Sequence, residues 1–411
     1  MKHWLAVLAC VGLWTGPVQA AERTLDLRSY LELVESHNPE LNAAQKQRGQ
    51  ALAEERIARA YPNPDIEVGA GSWQPRAGGR SGDVSTVGIS QRIELPSVRE
   101  ARIGAARSGI AVTDALIETV RQQVGYAAIQ AWYDALRRGA EFALANENAA
   151  LLGAMRDRVR TRVDVGEAPR FELTRIETEV LVARNLAESA RLRLEEARAV
   201  MRRLSGNRLP SEFVLNPAEP PRSTLQPLPI LQALVLENHP SLRVLIAENA
   251  RARARLEQEL ALRNPQPTLQ LLQSRDPDTR QQLVGVALPL PLWDRRGGQI
   301  AAAQSAIEGV AAQREAQRAQ LLRELDSAYA RFNIAQRLTE SFENGLLAQS
   351  ESALRVAEAA YRAGERGFLE VLDAQRTLRA VRTDYIQARF DRLAAQLDIE
   401  RLLAQDPYPS R

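Results

Sequence analysis

Apolar and polar residues alternate along two pairs of short segments in this chain. Between residues 85 and 95 the apolar face carries Val87, Ile89, Ile93 and Leu95. Ile66 and Val68 alternate with acidic residues just before, and the same period of two returns at Leu269 and Leu271 and from residue 284 to 290. This period is typical of strands with one apolar face. The pattern predicts two hairpins, with loops at residues 75–83 and 275–280.

After each hairpin the period changes to steps of three and four, which is typical of a long packed helix. Residues 96–163 contain no internal proline, and a helix of this length would extend about 100 Å. Its predicted seam is Ile103, Ala106, Ile110, Thr113, Ile117, Val120, Val124, Ala127 and Ala131. Residues 295–363 form the counterpart, with the seam Ala328, Phe332, Ala335, Thr339, Phe342 and Leu346.

Further helices complete each set. Those at 171–204 and 369–403 follow turns at Gly166 and Gly364, where glycine supplies the positive φ that ends the preceding helix. Shorter helices of about twenty residues begin where Asn38 precedes a proline and where His239 does the same. A capping residue followed by proline is a typical helix start.

The two sets of elements are copies of one unit. Tyr-Pro-Asn-Pro at residues 61–64 matches Leu-Arg-Asn-Pro at 262–265, and Val-Gly-Ile at 87–89 matches Val-Gly-Val at 284–286. The period of about 200 residues is far longer than a solenoid repeat. We therefore expect a first repeat at 21–204, a proline-rich linker without regular structure at 205–229, and a second repeat at 230–411.

The composition indicates the compartment in which the protein resides and the kinds of site that it can carry. Residues 1–20 combine a basic start, an apolar run and a small-residue cleavage site, which predicts a secretory signal peptide. Cys10, the single cysteine, fits a buried position in that peptide better than a lipidation site, so the mature chain has no disulfide or thiolate metal site. The net charge is +3, but acidic and basic residues are interspersed, which favours exposed helix faces over nucleic-acid binding.

Four strands of this length could cross a bilayer, but they cannot close a barrel, because the smallest membrane barrels have about eight strands. An open edge in lipid leaves backbone groups unsatisfied. Pooling the strands of three identical chains would give twelve. Trp73 and Trp293 lie near strand ends, where membrane-interface aromatics are expected. Taken alone, each hairpin could instead pack on a soluble core.

The residues resemble a known family. The duplication, Asn-Pro-Glu-Leu at 38–41, the Gly-Glu turns at 166 and 364, and Phe-Leu-Glu-Val-Leu-Asp-Ala at 368–374 are similar to TolC-like outer-membrane efflux channels. The turn at 165–173 is most similar to the CzcC-like heavy-metal branch. The resemblance implies a mainly α fold with a membrane β-barrel contribution: a homotrimer with a shared 12-stranded β-barrel in outer-membrane lipid and a trimeric α-helical barrel in the periplasm. It also implies docking to a periplasmic adaptor (a membrane fusion protein) and an inner-membrane, proton-driven RND pump.

The same resemblance implies an acidic pore gate. Glu370 and Asp373 match the family's paired acids, one helical turn apart, so threefold symmetry would stack two negative rings that attract cations. Spacing alone also fits acids that complement the helix dipole near the start of a helix.

A latch and an adaptor contact are implied as well. Tyr361 and Arg366 match the latch, with Glu172 as the acceptor on the neighbouring helix. The adaptor-facing turns would be Gly166, Glu167, Gly364 and Glu365.

Competing functions have less support. His37 and His239 occupy helix starts, and the sequence contains no nucleophile motif, phosphate loop or metal-ligand cluster, so neither an enzyme nor a cofactor is predicted. The resemblance to the heavy-metal branch implies a divalent heavy-metal cation as cargo, with drugs or other organic solutes as the alternative. A periplasmic coiled-coil adaptor is the remaining alternative, although an adaptor would carry one helical hairpin and no strand pairs of membrane length.

Overall fold

A computed structural model of the chain describes residues 24–74, 76, 78, 80–216 and 225–408. The predicted signal peptide, including Cys10, lies outside the described residues, as does the central part of the predicted linker.

The same order of elements occurs twice, as predicted. The first set comprises β1 (Thr24–Leu25), α1 (Leu27–His37), α2 (Pro39–Arg59), β2 (Asp65–Trp73), β3 (Gly82–Arg92), α3 (Pro96–Asp164) and α4 (Arg170–Leu204). After β4 (Val214–Leu215), the second set comprises α5 (Leu228–Asn238), α6 (Pro240–Ala261), β5 (Thr268–Arg275), β6 (Arg280–Ala287), α7 (Gly297–Ser341), α8 (Leu347–Arg362) and α9 (Phe368–Leu402). The five-residue π-helical segment Phe342–Leu346 joins α7 to α8.

The predicted helix starts are confirmed at both junctions. The Asn38 carboxamide accepts the backbone N–H groups of Glu40 and Leu41, and its own NH₂ donates to the Leu204 carbonyl at 2.9 Å. At the equivalent position the His239 imidazole Nδ1 accepts the Ser241 N–H. A cap and a first-turn proline therefore begin α2 and α6.

Three expectations need correction. β3 ends at Arg92 and β6 at Ala287, short of the predicted ends, and in β6 the sequence beyond carries Pro289 and Pro291. The predicted linker contains β4, which pairs in parallel with β1. The second long helix is interrupted by the π-helical segment, and Leu346, at the end of its predicted seam, is exposed.

Helix α3 is central to the helical part. It packs on α2 and α4 of its own repeat and on α6 and α9 of the second. Three buried clusters hold this arrangement together. The first surrounds Trp132 and Tyr30, the second surrounds Leu325 and Ile399, and the third lies next to the turns after α3 and α8, around Ile176 and Phe368. Burial of such side chains contributes roughly 1.5–3 kcal/mol each.

The two hairpins form one antiparallel sheet in the order β2-β3-β5-β6. β3 and β5 join the repeats, with Ile89 opposite Leu271. Within the described residues, neither β2 nor β6 has a partner strand on its outer edge.

Candidate functional site

The two long-helix turns have the same backbone geometry. Gly166 and Gly364 have φ values of 81° and 77°, in the left-handed region that favours glycine. The N–H of Glu167 donates to the Arg162 carbonyl and that of Glu365 to the Ala360 carbonyl, which closes each helix in a Schellman arrangement. Both glutamate side chains are exposed at the tips, so the turns present acidic groups outward.

A buried cluster supports these turns. Phe368 is 2% exposed and lies between the ends of the four helices, with Ile176 and Leu372 in the same cluster. The Tyr361 ring contacts Phe368, with ring centroids 5.5 Å apart. The Arg162 guanidinium lies over the ring of Tyr361, 5.0 Å from the ring centroid. The aromatic pair therefore joins the start of α9 to the end of α8, and the cation–π contact joins the end of α8 to the end of α3.

Of the two predicted partners of Glu172, the structure brings one into contact. The Tyr361 hydroxyl lies 3.4 Å from the Glu172 carboxylate, a weak hydrogen bond. Partial burial, followed by the nearby Glu172 carboxylate, raises the pKa of Tyr361, so the phenol stays protonated as the donor. Arg366 instead pairs with Glu370, four residues along its own chain, at 2.5 Å. Within one chain Arg366, which lies in the turn before α9, therefore contacts Glu370 and not Glu172.

Glu370 and Asp373 share the exposed face of α9. The residues between them, Val371 and Leu372, are buried. One turn of helix thus presents two carboxylates to the side away from the cluster, as the spacing predicts.

Sequence reasoning missed two contacts that hold α9 in place. Arg376 on α9 pairs with Glu179 on α4. The Gln375 side chain donates to Asn148 on α3 at 3.3 Å, in a buried setting where the Gln375 carbonyl oxygen has no partner among the described groups. The partners are about 200 residues apart in the chain, so local spacing gave no signal for them.

The four-stranded sheet has one apolar and one mostly polar face. One cross-strand row joins Ile66, Ile89, Leu271 and Val284. The apolar face is formed by Ile66, Val68, Val87, Ile89, Leu269, Leu271, Val284 and Val286, which are between 43% and 76% exposed. The next row, on the opposite face, joins Asp65, Ser90, Gln270 and Gly285, although Leu272 and Leu283 also lie on that face. An exposed apolar face of this extent indicates a binding or membrane surface.

The two predicted interfacial tryptophans lie at opposite ends of this sheet. Trp73 is the last residue of β2, beside the hairpin loop, whereas Trp293 follows β6 on the side of the long helices. Trp293 is 93% exposed.

Within the described part of the chain, none of the helices is long and apolar enough to cross a membrane. The same residues hold no group of three or more His, Cys, Asp or Glu side chains that could bind a metal ion.

The sequence model of the outer membrane efflux protein family matches residues 30–207 and 231–405. The chain belongs to this family. Its members are transport proteins, which confirms that the protein is not an enzyme. The matched segments include both helical turns and all four strands of the sheet.

Individual relatives agree with this assignment. The cobalt-zinc-cadmium resistance protein CzcC of Cupriavidus metallidurans is 27% identical over 93% of this chain and 90% of its own length. The outer membrane protein TolC of Escherichia coli is 22% identical over 98% of this chain and 86% of its own. Among solved structures, the outer-membrane channel OprN matches with a TM-score of 0.79 at 17% identity, covering 93% of this chain and 91% of its own. CusC matches with a TM-score of 0.76 at 17% identity, covering 92% and 91%.

Proposed function

We propose that three copies of this protein form the outer-membrane channel of a tripartite, proton-driven efflux system that exports divalent heavy-metal cations. The observation that carries the channel is the sheet, which combines an exposed apolar face with two unpaired edges. In lipid such edges leave N–H and C=O groups without partners. Three sheets joined edge to edge form a closed barrel of twelve strands, within the known range for membrane barrels.

The strand directions allow this closure. β6 runs towards the long helices and β2 runs away from them, so β6 of one copy and β2 of the next are antiparallel, as all neighbours within the sheet are. Trp73 and Trp293 then flank the apolar band, as aromatic residues do at the two membrane interfaces. The predicted signal peptide at 1–20 supports export of the chain to the periplasm.

The helices support the same assembly. α3 packs between α2 of its own repeat and α6 of the other. α7, the counterpart of α3, packs on α6, while much of its first half is exposed. A neighbouring copy that supplies α2 to the free side of α7 completes the pattern and closes an α-helical barrel.

The turn end of this barrel is the proposed gate. Glu370 and Asp373 from three copies form two acidic rings that favour cations. The Tyr361–Glu172 hydrogen bond joins the end of α8 to the start of α4 and holds the gate closed, with the Arg366–Glu370 pair at the start of α9 beside it. The tips at Gly166, Glu167, Gly364 and Glu365 face the periplasmic adaptor, which links the channel to the RND pump.

The cargo assignment rests on similarity to CzcC, whose name records resistance to cobalt, zinc and cadmium. A channel that passes metals needs negative charge along the path and no tight binding site. Organic solutes are the second candidate, because TolC and BepC, an outer membrane efflux protein of Brucella suis, also match.

Tolerance assays test the cargo. A deletion strain should grow poorly in zinc, cobalt or cadmium salts and recover when the gene is restored, while its tolerance of organic drugs should not change. Sensitivity to drugs alone would transfer the assignment to organic solutes, and equal tolerance of metals in mutant and parent would reject metal export.

Conductance of the purified channel in planar bilayers tests the gate. Glu370→Gln combined with Asp373→Asn should lower the preference for cations over anions several-fold, because both rings lose their charge. Glu308→Gln, an exposed acid on α7 outside the rings, is the control. Unchanged selectivity in the double variant would reject the acidic gate.

A further inference from the structure

The joint between the sheet and the long helices differs between the two repeats, and in the second repeat it contains an open cleft with unpaired arginines. We infer that this cleft binds the headgroup of an anionic phospholipid from the membrane leaflet that faces the periplasm. The inference rests on the proposed function, because only a channel in the outer membrane places this joint at the surface of a bilayer.

In the first repeat, arginines from the start of α3 close the joint. The Arg99 guanidinium lies over the Tyr61 ring, 4.6 Å from its centroid. The Arg102 guanidinium donates to the carbonyls of Ala58 and Ala60 at 3.0 and 2.9 Å. Arginine donors at the last carbonyls of a helix satisfy groups that have no partner within the helix. These contacts tie the end of α2 to the start of α3.

The connection after the second hairpin is longer. β6 ends at Ala287 and α7 begins at Gly297, so the nine residues 288–296 join them, without regular structure. In the first repeat β3 ends at Arg92 and α3 begins at Pro96, which leaves three residues between them. The part of the second repeat that matches the first turn of α3 is therefore not helical.

The matching arginine of the second repeat has a different partner. Val-Gly-Ile at 87–89 matches Val-Gly-Val at 284–286, which places Arg296 at the position of Arg99. The Arg296 guanidinium pairs with the Glu259 carboxylate near the end of α6. An ion pair therefore replaces the contact that closes the first joint, and the space between the two connections stays open.

This space is a cleft of about 940 Å³. One wall is the connection from α6 to β5, and the other is the connection from β6 to α7. The lining includes Arg92, Arg263 and Arg295, whose guanidinium groups make no ion pair or hydrogen bond within the described part of the chain. Among the lining residues that the structure describes, only Asp294 is acidic, and its carboxylate accepts the Arg296 N–H at 2.8 Å. The cleft therefore carries a net positive charge that a bound anion would balance.

Apolar side chains lie beside these arginines. Leu290 and Leu292 line the cleft and are more than half exposed, and Trp293 next to them is almost fully exposed. Guanidinium groups bind phosphate oxygens through paired N–H donors, and basic pockets at membrane surfaces bind anionic lipid headgroups. A phosphodiester with apolar chains attached therefore matches the lining better than an inorganic anion does.

The position of the cleft agrees with this ligand. Thr268 and Ala287 line it and form the last pair between β5 and β6 on the side of the long helices. In the proposed channel this end of the sheet faces the periplasm, at the depth where tryptophan is enriched in membrane proteins. Acyl chains then lie along the leucines while the phosphodiester reaches the arginines. A zwitterionic headgroup would add an ammonium group to a site that is already positive, so an anionic headgroup is preferred.

Lipid titration of the purified channel in detergent tests this site. Dioctanoyl-phosphatidylglycerol or dioctanoyl-phosphatidylcholine is added, and native mass spectrometry counts the lipids bound to each trimer. The wild type should bind one phosphatidylglycerol per copy, at least tenfold more tightly than phosphatidylcholine. Arg263→Gln combined with Arg295→Gln should remove this preference. Arg253→Gln combined with Arg337→Gln, which changes exposed arginines of α6 and α7 outside the cleft, is the control and should keep it.

A second variant tests the apolar wall. Leu290→Asn combined with Leu292→Asn keeps every charge and should weaken phosphatidylglycerol binding, because the acyl chains lose their contacts. Unchanged binding in this variant would overturn the lipid site, since a lipid must use that wall.

The remaining outcomes separate this site from the channel itself. Equal binding of both lipids by the wild type, or the same loss in the control pair, would overturn the lipid site in samples that are trimeric and conduct ions, and would leave the channel proposal intact. Loss of the trimer in the arginine pair would assign the cleft to contacts between copies and would also overturn it. Wild-type monomers without conduction would remove the channel proposal and this inference with it.

Discussion

At the scale of single residues, the two repeats use different side chains for the same cap. Asn38 is 2% exposed and satisfies three backbone groups, whereas His239 is partly buried and accepts a hydrogen bond from Ser241. Burial, with a smaller contribution from Arg401, lowers the pKa of His239 to about 4, although Glu324 opposes the shift. The neutral imidazole is thus the form that the fold requires.

This difference predicts a pH dependence. An unfolded histidine has a pKa of about 6.5, so the unfolded chain binds the proton first as pH falls. The contribution of His239 is complete above about pH 6.5 and is lost as pH drops towards 4, by roughly 1–2 kcal/mol per chain after allowance for solvent screening. His239→Asn, which copies Asn38, should reduce the loss of melting temperature between pH 7 and 4.5. His37→Asn removes an exposed imidazole at the equivalent junction and is the control; equal slopes in wild type and His239→Asn would contradict the prediction.

The sequence predicted which residues cap and turn, but not which side chains meet across helices. Asn38, His239, Gly166 and Gly364 were predictable because local backbone geometry requires them. The Arg376–Glu179 and Gln375–Asn148 contacts depend on how α9 lies against α4 and α3. The Arg366–Glu370 pair, by contrast, joins residues only four positions apart, a spacing that the sequence itself displays.

At the scale of elements, the π-helical segment corresponds to one extra residue in the second repeat. Gly166 follows Ile110 by 56 positions, whereas Gly364 follows Ile307 by 57. Gly345, inside the segment, has non-helical backbone angles, and Phe342, the first residue of the segment, packs on Tyr385 with ring centroids 6.1 Å apart. A π-bulge absorbs one residue locally. The apolar seams of α7 and α8 therefore lie on the same side of the helix, and both helices pack on α9.

Deletion of Gly345 should therefore be tolerated. The stretch from Ile307 to Gly364 then has the same length as that from Ile110 to Gly166. α7 and α8 can join in a continuous α-helix, and the free energy of unfolding should change by about 1 kcal/mol or less. Deletion of Glu147, the matching position in the uninterrupted α3, should instead rotate every later residue of that helix by about 100° and prevent assembly. The measurement is the amount of heat-stable trimer in outer-membrane preparations, and loss of trimer in the Gly345 deletion equal to that in the Glu147 deletion would refute this account.

At the scale of the whole molecule, the sheet determines where the protein can reside. Its apolar face cannot be covered by the chain's own helices, which pack on each other beyond one end of the strands. The alternation was readable in the sequence, and so was the mismatch between four strands and a closed barrel. The strand ends were not predicted, because β6 ends at Ala287 opposite Thr268, where its partner β5 begins, and that pairing is not visible in the sequence.

The trimer should tolerate a charged residue on the polar face of the sheet but not on the apolar face. Val87→Lys places a cation on the apolar face and should cost about 2–4 kcal/mol per copy at mid-membrane depth, with loss of folded trimer from the outer membrane. Thr86→Lys, one residue away on the other face, should leave most of the trimer intact. Equal loss in both variants would show that the apolar face does not contact lipid.

The first buried cluster draws on both extremities of the described chain. Tyr30 and Trp132 share it with Leu393, Leu397 and Tyr408, and Arg121 next to it pairs with Asp406. Because these residues follow both hairpins in the chain, translation completes this core only after both hairpins have been made. A nascent copy must therefore keep its apolar strands from aggregating until residues 393–408 have been made.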